Sequence, residues 1–398
     1  MSTLKIENFG PIKLADIQTN KVTVLIGPQG SGKSTVAKLI ASFSEFEKND
    51  IRYSNSDIRM LEINRRFIKS FEYHRIDEYL NDDTLLIYQN YFRIEYRKGK
   101  LTIGRVGDEY TLPKITYYPA ERNFVSSIKK SKEWVSFKLW SQSLQEFKEI
   151  FQEAKESIQG SMKLPINNAE IEYNRLNDIL FLKGENFKIP LYNSASGFQS
   201  FVPMYVVADY VAKMVDSENE MDDRERDYFI KESAKILQNK DYTQEQKDIL
   251  LSNLAGKTNI KRTLNIIEEP EQNLFPDSQR KMLNALLEYN NAAADNSMII
   301  TTHSPYIVNY LMLAIKASEI EKETTNQELK SRIYGIVPQK ALTPLQDVTI
   351  YQLSEDGHIN HLGESYGMPS NDNYLNNQLG EDNMCFSELM EIEELCQQ

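Results

Sequence analysis

Nine consecutive residues near the amino terminus have the types and spacing of a loop that wraps a phosphate group. They follow an apolar run, residues 22–26, that predicts a buried strand. Glycines let several backbone N–H groups converge on one anion, and the helix expected next adds the positive end of its dipole. The pattern predicts a nucleoside triphosphate site. The nine residues are Gly27, Pro28, Gln29, Gly30, Ser31, Gly32, Lys33, Ser34 and Thr35.

Three side chains at the end of this loop suit separate tasks. Lys33 can neutralise charge between the β and γ phosphates, and the hydroxyl of Ser34 can bind Mg²⁺. Thr35 opens a predicted helix, residues 36–46, whose apolar face can pack on a sheet. A glycine-rich turn that only resembles the loop is the alternative. The strand before it and the helix after it argue against that alternative.

A pair of carboxylates follows a second predicted strand, residues 263–267, far downstream. Glu268 could orient Mg²⁺ through water, and Glu269 could polarise the water that attacks the γ phosphate. Standing alone, the pair could equally be a surface feature before the proline turn. A third predicted strand, residues 298–302, places His303 at its carboxyl end, where ligands bind in open α/β sheets. An isolated histidine is usually structural, but this position suits a γ-phosphate sensor.

A small-residue turn, residues 194–200, precedes a predicted apolar helix at 201–215. It contains Ser196, Gly197 and Gln199. An ordinary helix N-cap explains such a turn. The same helix start could also cradle a phosphate presented by a second subunit.

Composition limits the classes of protein that this chain can be. Its 398 residues are 40% apolar, enough for one large α/β domain with a helical insertion, or for two domains. No run approaches the twenty or so apolar residues of a membrane span and no signal-peptide pattern begins the chain, so we expect a cytoplasmic protein. The two cysteines, Cys385 and Cys396, support neither a disulfide framework nor a cysteine-based zinc site.

The net charge of −12 argues against a surface coated in positive charge for nucleic acid. Residues 363–398 hold eight carboxylates and no lysine or arginine, which leaves −4 on the rest of the chain. Basic stretches at 129–132 and 52–69 are either solvated helix faces or contacts for a phosphate backbone. The acidic tail carries Phe386, Leu389, Ile392 and Cys396 at helical spacing, which indicates either a docking helix, a nucleic-acid mimic or a solvated terminal helix.

Further elements follow from alternation and turn residues. We expect a turn of both charge signs at 119–122, after a buried strand. The other predicted strands are 4–9, 17–26, a meander of 85–94, 100–105 and 109–112 with turns at 98–99 and 107–108, 115–118, and hairpins at 169–190 and 348–360; amphipathic helices are predicted within 134–158.

The order of these motifs resembles that of the ABC-type head ATPases, of the AAA_15 and AAA_21 kind, which include chromosome-maintenance, recombination-mediator and overcoming-lysogenization-defect ATPases. The chain is most similar to ATPases of phage-defence systems such as PARIS and Septu. The matching segments are 8–12, 27–35, 118–122, 196–199, 266–271 and 302–305.

The resemblance implies an α/β fold of the ABC-ATPase head type. A P-loop core sheet would carry an antiparallel β lobe and a helical insertion lobe, all in one domain spanning residues 1–398. Its parts would be a phosphate-loop lobe at 1–124, a helical signature lobe at 125–262, the remaining core at 263–362 and the acidic tail at 363–398.

The resemblance also implies a head-to-tail dimer that sandwiches two ATP molecules. Lys33 and the loop amides would hold the phosphates, with Ser34 and Glu268 supporting Mg²⁺. Glu269 would be the catalytic base and His303 the switch histidine. The turn with Ser196, Gly197 and Gln199 would contact the γ phosphate of the partner's ATP.

Two residues depart from the wider pattern of the family. Glu268 replaces an aspartate, and Phe198 stands where a second glycine is usual. The glutamine that normally helps to bind Mg²⁺ has no clear counterpart, and Glu121 and Arg122 are the residues nearest to its place. ATP rather than GTP follows from the resemblance.

The function implied is an ATP-hydrolysing sensor that controls a separate nuclease or toxin, with a phage protein as its trigger. Related nucleases carry a further metal-dependent domain, whereas about ninety residues follow His303, below the size of a typical domain. A repair ATPase that binds duplex DNA is one alternative. An ATP-locked scaffold with little turnover is the other.

Overall fold

A six-stranded sheet lies at the centre of the computed structural model. The structure describes residues 1–53, 60–107, 111–127, 140–216, 223–239, 242–243, 247, 260–365, 368–370 and 372–396. In spatial order the sheet contains β15 (Ile359–His361), β14 (Val348–Leu353), β3 (Val22–Ile26), β13 (Ser297–Thr301), β12 (Arg262–Glu268) and β7 (Pro113–Tyr118).

Five of these strands, β14, β3, β13, β12 and β7, run parallel, and only β15 is antiparallel. The carboxyl ends of β3, β12 and β13 therefore meet at one edge of the sheet. Register fixes this meeting, because Glu268 pairs with Thr301 and Thr301 pairs with Leu25. The phosphate loop follows β3 directly, Glu268 ends β12 with Glu269 after it, and His303 lies two residues after β13. This arrangement makes the fold a P-loop ATPase fold of the α/β class.

Packed layers cover the central sheet on both faces, so every residue of β3 is buried. Leu25 packs with one layer, whereas Val24 and Ile26 pack with the other. The first layer comprises α1 (Lys33–Tyr53), α2 (Met60–His74) and an antiparallel sheet of β2 (Ile12–Gln18), β1 (Thr3–Phe9), β4 (Leu85–Gln89), β5 (Phe92–Arg97) and β6 (Lys100–Arg105). The second comprises α4 (Gln142–Ser157), α5 (Ser196–Asp216), α7 (Pro276–Asn291) and α8 (Pro305–Glu323).

A four-stranded antiparallel sheet extends the second layer. Its strands are β8 (Ser161–Lys163), β9 (Glu170–Asn174), β10 (Ile179–Lys183) and β11 (Lys188–Pro190). The remaining elements are α3 (Asn123–Ser127), α6 (Asp223–Gln238), α9 (Gln327–Ile336), α10 (Tyr374–Cys396) and the short pair β16 (Glu364–Ser365) and β17 (Met368–Pro369). Across the described part of the chain, no helix combines the length and apolarity needed to cross a bilayer.

Three predicted strands are interrupted by turns that side chains stabilise. The predicted strand 17–26 breaks because Asn20 accepts a hydrogen bond from the N–H of Lys21. The predicted strand 85–94 breaks at residues 90–91, where the buried carboxylate of Glu47 in α1 accepts from the backbone N–H groups of Tyr91 and Phe92, each at 2.8 Å. The predicted hairpin 169–190 has a second turn at 175–178, where Asn174 caps two backbone N–H groups.

Other predicted strands and helices can be compared directly with the elements of the structure. The strand 115–118 and the hairpin 348–360 are present as β7 and the β14–β15 pair. The helix expected at 36–46 extends to both sides as α1. The helix expected within 134–158 is α4, which begins at Gln142. The basic stretch 129–132 and residues 54–59 of the other basic stretch lie outside the described residues. Of the last predicted strand of the meander, residues 109–110 also lie outside them, as does residue 108 of the turn before it, and residues 111–112 form no strand.

Candidate functional site

The phosphate loop joins β3 to α1 in a backbone conformation that requires glycine. Gly27 has φ +145°, and a Cβ there would lie 2.4 Å from the carbonyl oxygen of Leu353 in β14. A side chain at this position would therefore collide with backbone of the central sheet. Gly30 has φ +79°, but a Cβ there would meet no atom within 4 Å. The loop thus packs closely on the sheet at its start and is open at its tip, where Gln29 and Gly30 are exposed.

The ammonium group of Lys33 is held inside this loop. Its Nζ donates to the carbonyl oxygens of Gly27 and Pro28 at 2.8 and 2.6 Å, and the residue is only 5% exposed. The pKa of Lys33 is lowered to about 8, because burial outweighs the opposing effect of the negative charges of Glu269 and Glu271. The residue that begins α1 and the carboxylates that follow β12 therefore share one electrostatic environment.

Glu268, the last residue of β12, is buried on the side of the sheet that faces α1. Its carboxylate accepts hydrogen bonds from the hydroxyl of Tyr117 and, at 3.3 Å, from the N–H of Ala120. Burial raises the pKa of Glu268, and the positive charge of Lys38 opposes that rise. Tyr117 stays a donor, because burial raises its pKa well above the ordinary value and Glu268 adds to the effect.

Glu269, predicted from sequence as the base, lies next to His303, predicted as the phosphate sensor. Oε1 of Glu269 is 3.6 Å from Nε2 of His303, and both side chains are about one-third exposed. Glu269 has φ +43°, an unfavourable backbone conformation for a residue with a side chain. Burial lowers the pKa of His303, and the charge of Lys33 lowers it further against the effect of Glu269.

Glu271 holds the turn that carries His303. Its Oε1 accepts hydrogen bonds from the hydroxyl of Thr302 at 2.8 Å and from the N–H of His303 at 2.9 Å. Its other oxygen, Oε2, is buried without a hydrogen-bond partner among the described residues. Glu271 therefore connects the segment after β12 to the segment after β13.

Arg122 is fully buried and organises the backbone around the two glutamates. Its guanidinium donates to the carbonyl oxygens of Glu268 and Glu269, both at 2.6 Å, and to those of Pro119 and Ser200, both at 3.2 Å. Burial lowers the pKa of Arg122 to about 10, while nearby glutamates raise it. The guanidinium thus joins the ends of β7 and β12 to the first turns of α5.

The turn at the start of α5 packs on the segment that follows Glu269. A Cβ at Gly197 would lie 2.7 Å from the carbonyl oxygen of Asn273, so only glycine permits this approach. The side-chain amide of Asn273 also donates to the hydroxyl of Ser200 at 3.1 Å. Ser196 is exposed beside this contact, where a second molecule could reach it.

The side chain of Gln199 is engaged within its own turn. Its amide donates to the carbonyl oxygens of Tyr192 and Ser194, at 3.1 and 2.8 Å. Gln199 thus stabilises the loop that presents Ser196. The motif order predicts Gln199 as one of the residues that contact nucleotide, and this prediction is separate from the role seen here.

The donor set fits a triphosphate that arrives with Mg²⁺. Lys33 supplies a buried cation, and the open tip at Gly30 leaves room above the loop. The Ser34 hydroxyl and the Glu268 carboxylate are oxygen ligands of the kind that Mg²⁺ prefers. Among the described residues there is no cluster of three or more His, Cys, Asp or Glu side chains able to hold a metal alone. Mg²⁺ here would need phosphate oxygens as further ligands, which is its usual mode of binding.

Sequence reasoning missed the roles of three residues. Tyr117 was identified only as part of a buried strand, Glu271 only as part of a motif, and Arg122 as a residue near the place of a missing glutamine. The available signal for Arg122 was the turn of both charge signs that directly follows β7.

Comparison with known proteins agrees with this geometry. A family model described as AAA ATPase domain, AAA_15, matches residues 1–175 and 148–308. A 45-residue segment is 49% identical to the mycobactin import ATP-binding/permease protein IrtA of Mycobacterium tuberculosis, and it covers 11% of this chain and 5% of that protein. The chain therefore spans a small part of that relative's length.

Similar solved structures include an SMC head domain from Thermotoga maritima, with a TM-score of 0.35, 11% identity and coverage of 77% of this chain and 90% of that one. An ATP-binding cassette of an ABC transporter in its ADP conformation gives a TM-score of 0.32 with 14% identity, covering 90% of each chain. At scores this low, nothing about partners or assembly is transferred from these proteins.

The buried hydrogen bonds of Arg122 generate a stability prediction. Arg122→Lys keeps a positive charge but cannot satisfy the same four carbonyl oxygens, so we expect a loss of about 3 kcal/mol in the free energy of unfolding, measured in urea. Arg175→Lys is the matched control, because Arg175 also donates to a backbone carbonyl, at 2.8 Å from Glu156, but in an exposed position. We expect that control to change stability by less than about 0.5 kcal/mol. Equal small losses in both variants would contradict the organising role of Arg122.

Proposed function

Because this chain belongs to the AAA ATPase domain family, we propose that it hydrolyses ATP between two of its own subunits and thereby controls a separate effector protein. It is an ATP-binding domain of the ATPase type. The observation that carries the proposal is the convergence of Lys33 with the Glu269–His303 pair at one edge of the central sheet.

The side chains suit hydrolysis of the bond between the β and γ phosphates. Lys33 and the loop amides would hold the phosphates, and Mg²⁺, supported by Ser34 and Glu268, would neutralise part of their charge. Glu269 would accept a proton from water as the water oxygen bonds to the γ phosphorus and the bridging oxygen leaves with ADP. His303, with Nε2 at 3.6 Å from Oε1 of Glu269, would contact the γ phosphate beside that carboxylate.

Two variants separate binding from turnover. Lys33→Ala removes the cation that holds the phosphates, and we expect ATP affinity to fall about tenfold or more, measured by titration with a fluorescent ATP analogue. Glu269→Gln keeps the loop but removes the base, so we expect near-normal affinity and phosphate release slowed on the order of 10²-fold or more. Glu185→Gln is the control and should change neither affinity nor turnover, because Glu185 is an exposed carboxylate in the turn between β10 and β11. Phosphate release at the original rate in the Glu269→Gln chain would overturn the assignment of the base. Absence of ATP turnover in the unsubstituted chain would favour an ATP-locked scaffold.

The exposed position of Ser196 at the start of α5 supports an ATP-dependent dimer. We expect the Glu269→Gln chain to become dimeric when ATP and Mg²⁺ are added, as judged by light scattering after size-exclusion chromatography. Adding Ser196→Arg should keep ATP bound but leave the chain monomeric, since a large side chain would obstruct the partner's nucleotide. Ser331→Arg, on the exposed face of α9, is the control and should still dimerise. Dimerisation that ignores ATP, or that survives Ser196→Arg, would contradict this arrangement.

Control of a separate effector is supported by the motif order described above and by the surface of α10. Among its described side chains this helix exposes five large apolar ones within the acidic tail, and an acidic apolar surface suits a basic partner. The five are Met384, Phe386, Leu389, Met390 and Ile392.

Affinity purification from the native operon tests the effector. We expect the chain to recover one neighbouring protein, a nuclease or toxin, in fixed stoichiometry by native mass spectrometry, and a Phe386→Ser/Leu389→Ser chain to lose it. Leu176→Ser is the control, because Leu176 is an apolar residue elsewhere in the chain that is 96% exposed. The chain with this substitution should still recover the neighbouring protein. Recovery of the chain alone contradicts an effector, and recovery with duplex DNA favours a repair ATPase.

A further inference from the structure

A cavity of about 470 Å³ lies between α1, α2, β7 and the start of α4. None of the nine phosphate-loop residues lines it. Its volume is in the range of pockets that bind small molecules. Among the described residues, four cationic side chains and two carboxylates line it, although the whole chain has a net charge of −12. These six residues are Lys48, Arg66, Lys69, Lys114, Glu45 and Glu146.

A histidine in the cavity wall has a polar atom that the protein leaves unsatisfied. His74, the last residue of α2, is 4% exposed, and its Nδ1 has no hydrogen-bond partner among the described residues. Burial lowers the pKa of His74 to about 3, and Lys38 acts in the same direction, so the ring is neutral at physiological pH. A buried polar atom without a partner is unfavourable, and a bound ligand can supply the missing hydrogen bond.

The amino-terminal end of α4 forms another part of the wall. Gln142 and Ser143, the first two residues of this 16-residue helix, line the cavity. The hydroxyl of Ser141 caps the N–H of Leu144 at 3.3 Å, and the helix dipole makes such an end favourable for an anion. The helix end, the excess of cations and the unsatisfied His74 therefore all favour a negatively charged ligand.

The cavity is in contact with the machinery of the candidate active site. Tyr117 lines it, and its ring lies 4.9 Å from the ring of His74, centroid to centroid. The hydroxyl of the same tyrosine donates to the carboxylate of Glu268. A ligand that displaces or fixes this ring would therefore act on Glu268 through one side chain.

We propose that this cavity binds a small phosphorylated molecule of about the size of a nucleoside monophosphate, and that its occupancy adjusts Glu268 through Tyr117. The phosphate would contact the cationic side chains and the unsatisfied imidazole. A concave cavity of this size with carboxylates among its lining suits a small molecule better than a nucleic-acid backbone, which needs an extended positive surface. The effect on Glu268 rests on the proposed function; the binding site does not.

Binding is tested in the full chain carrying Lys33→Ala, in which the phosphate loop is impaired. Calorimetric titration with inorganic phosphate and with AMP should show saturable binding of at least one probe. Lys69→Ala and Lys114→Gln should each weaken binding about tenfold, because each removes a charge-assisted contact. His74→Phe keeps an aromatic ring but removes both ring nitrogens and should also weaken binding. Lys163→Ala, an exposed lysine in β8, should have no effect.

The two probes distinguish the source of the phosphate. Tighter binding of AMP indicates a nucleotide, and equal affinities indicate a free anion; both support the phosphate site. Absence of saturable binding, or binding that none of the cavity variants weakens, overturns it, as does binding of duplex DNA alone. Thermal melting identifies any variant that fails to fold, and Lys69, which is exposed, offers the least disruptive one.

Coupling to the active site has its own readout. In the chain with an intact phosphate loop, a saturating probe should change the rate of ATP hydrolysis, and Tyr117→Phe, which lacks the hydroxyl, should abolish that response while leaving probe binding intact. Binding without any change in hydrolysis would keep the site and overturn its link to Glu268. If no variant hydrolyses ATP, the proposed function fails, while the titrations in the Lys33→Ala chain still decide the site.

Discussion

The guanidinium of Arg122 is removed from water completely, and the candidate active site depends on how that burial is compensated. A buried cation is unfavourable unless its N–H groups find acceptors. Here the acceptors are backbone carbonyl oxygens of Pro119, Ser200, Glu268 and Glu269. Since these carbonyls belong to three separate segments of the chain, the segments cannot separate without leaving the guanidinium unsatisfied. The same hydrogen bonds hold the peptide of Glu269, whose φ of +43° would otherwise be unfavourable.

Two adjacent glutamates reach different surroundings because Glu268 is the last residue of β12, whereas Glu269 leaves the strand with φ +43°. Glu268 points toward α1, where burial raises the pKa of its carboxyl group against the lowering effect of the hydrogen bond from Tyr117. Glu269 faces the edge where Lys33 and His303 lie and keeps about a third of its side chain exposed. Adjacent carboxylates in contrasting environments can take different tasks. Glu268 is suited to supporting Mg²⁺ beside the phosphates, and Glu269 is suited to accepting a proton from water.

The local features of this site could be predicted from sequence, whereas its long-range contacts could not. Glycine spacing, apolar strands and the residues after them are local patterns, so the sequence alone places the phosphate loop, Glu269 and His303 at strand ends. The hydrogen bond from Tyr117 to Glu268 joins residues 151 positions apart, and the one from Arg122 to Glu269 joins residues 147 apart. The periodicity of apolar residues along the chain gives no information about such distant pairs. The break near residue 90 was missed for the same reason, because a side chain of α1 supplies the acceptor that ends the strand.

The start of α5 and the segment after β12 behave as one mechanical unit. Gly197 approaches the carbonyl of Asn273 so closely that a methyl group would not fit between them, and Ser200 is bonded to both Asn273 and Arg122. Close-packed interiors transmit displacement rather than absorb it. Packing and three hydrogen bonds, all within a single subunit, therefore connect the turn that carries the exposed Ser196 to Glu269. In a dimer closed around nucleotide, engagement of one subunit's α5 would act on that subunit's own carboxylate as well as on the nucleotide of its partner.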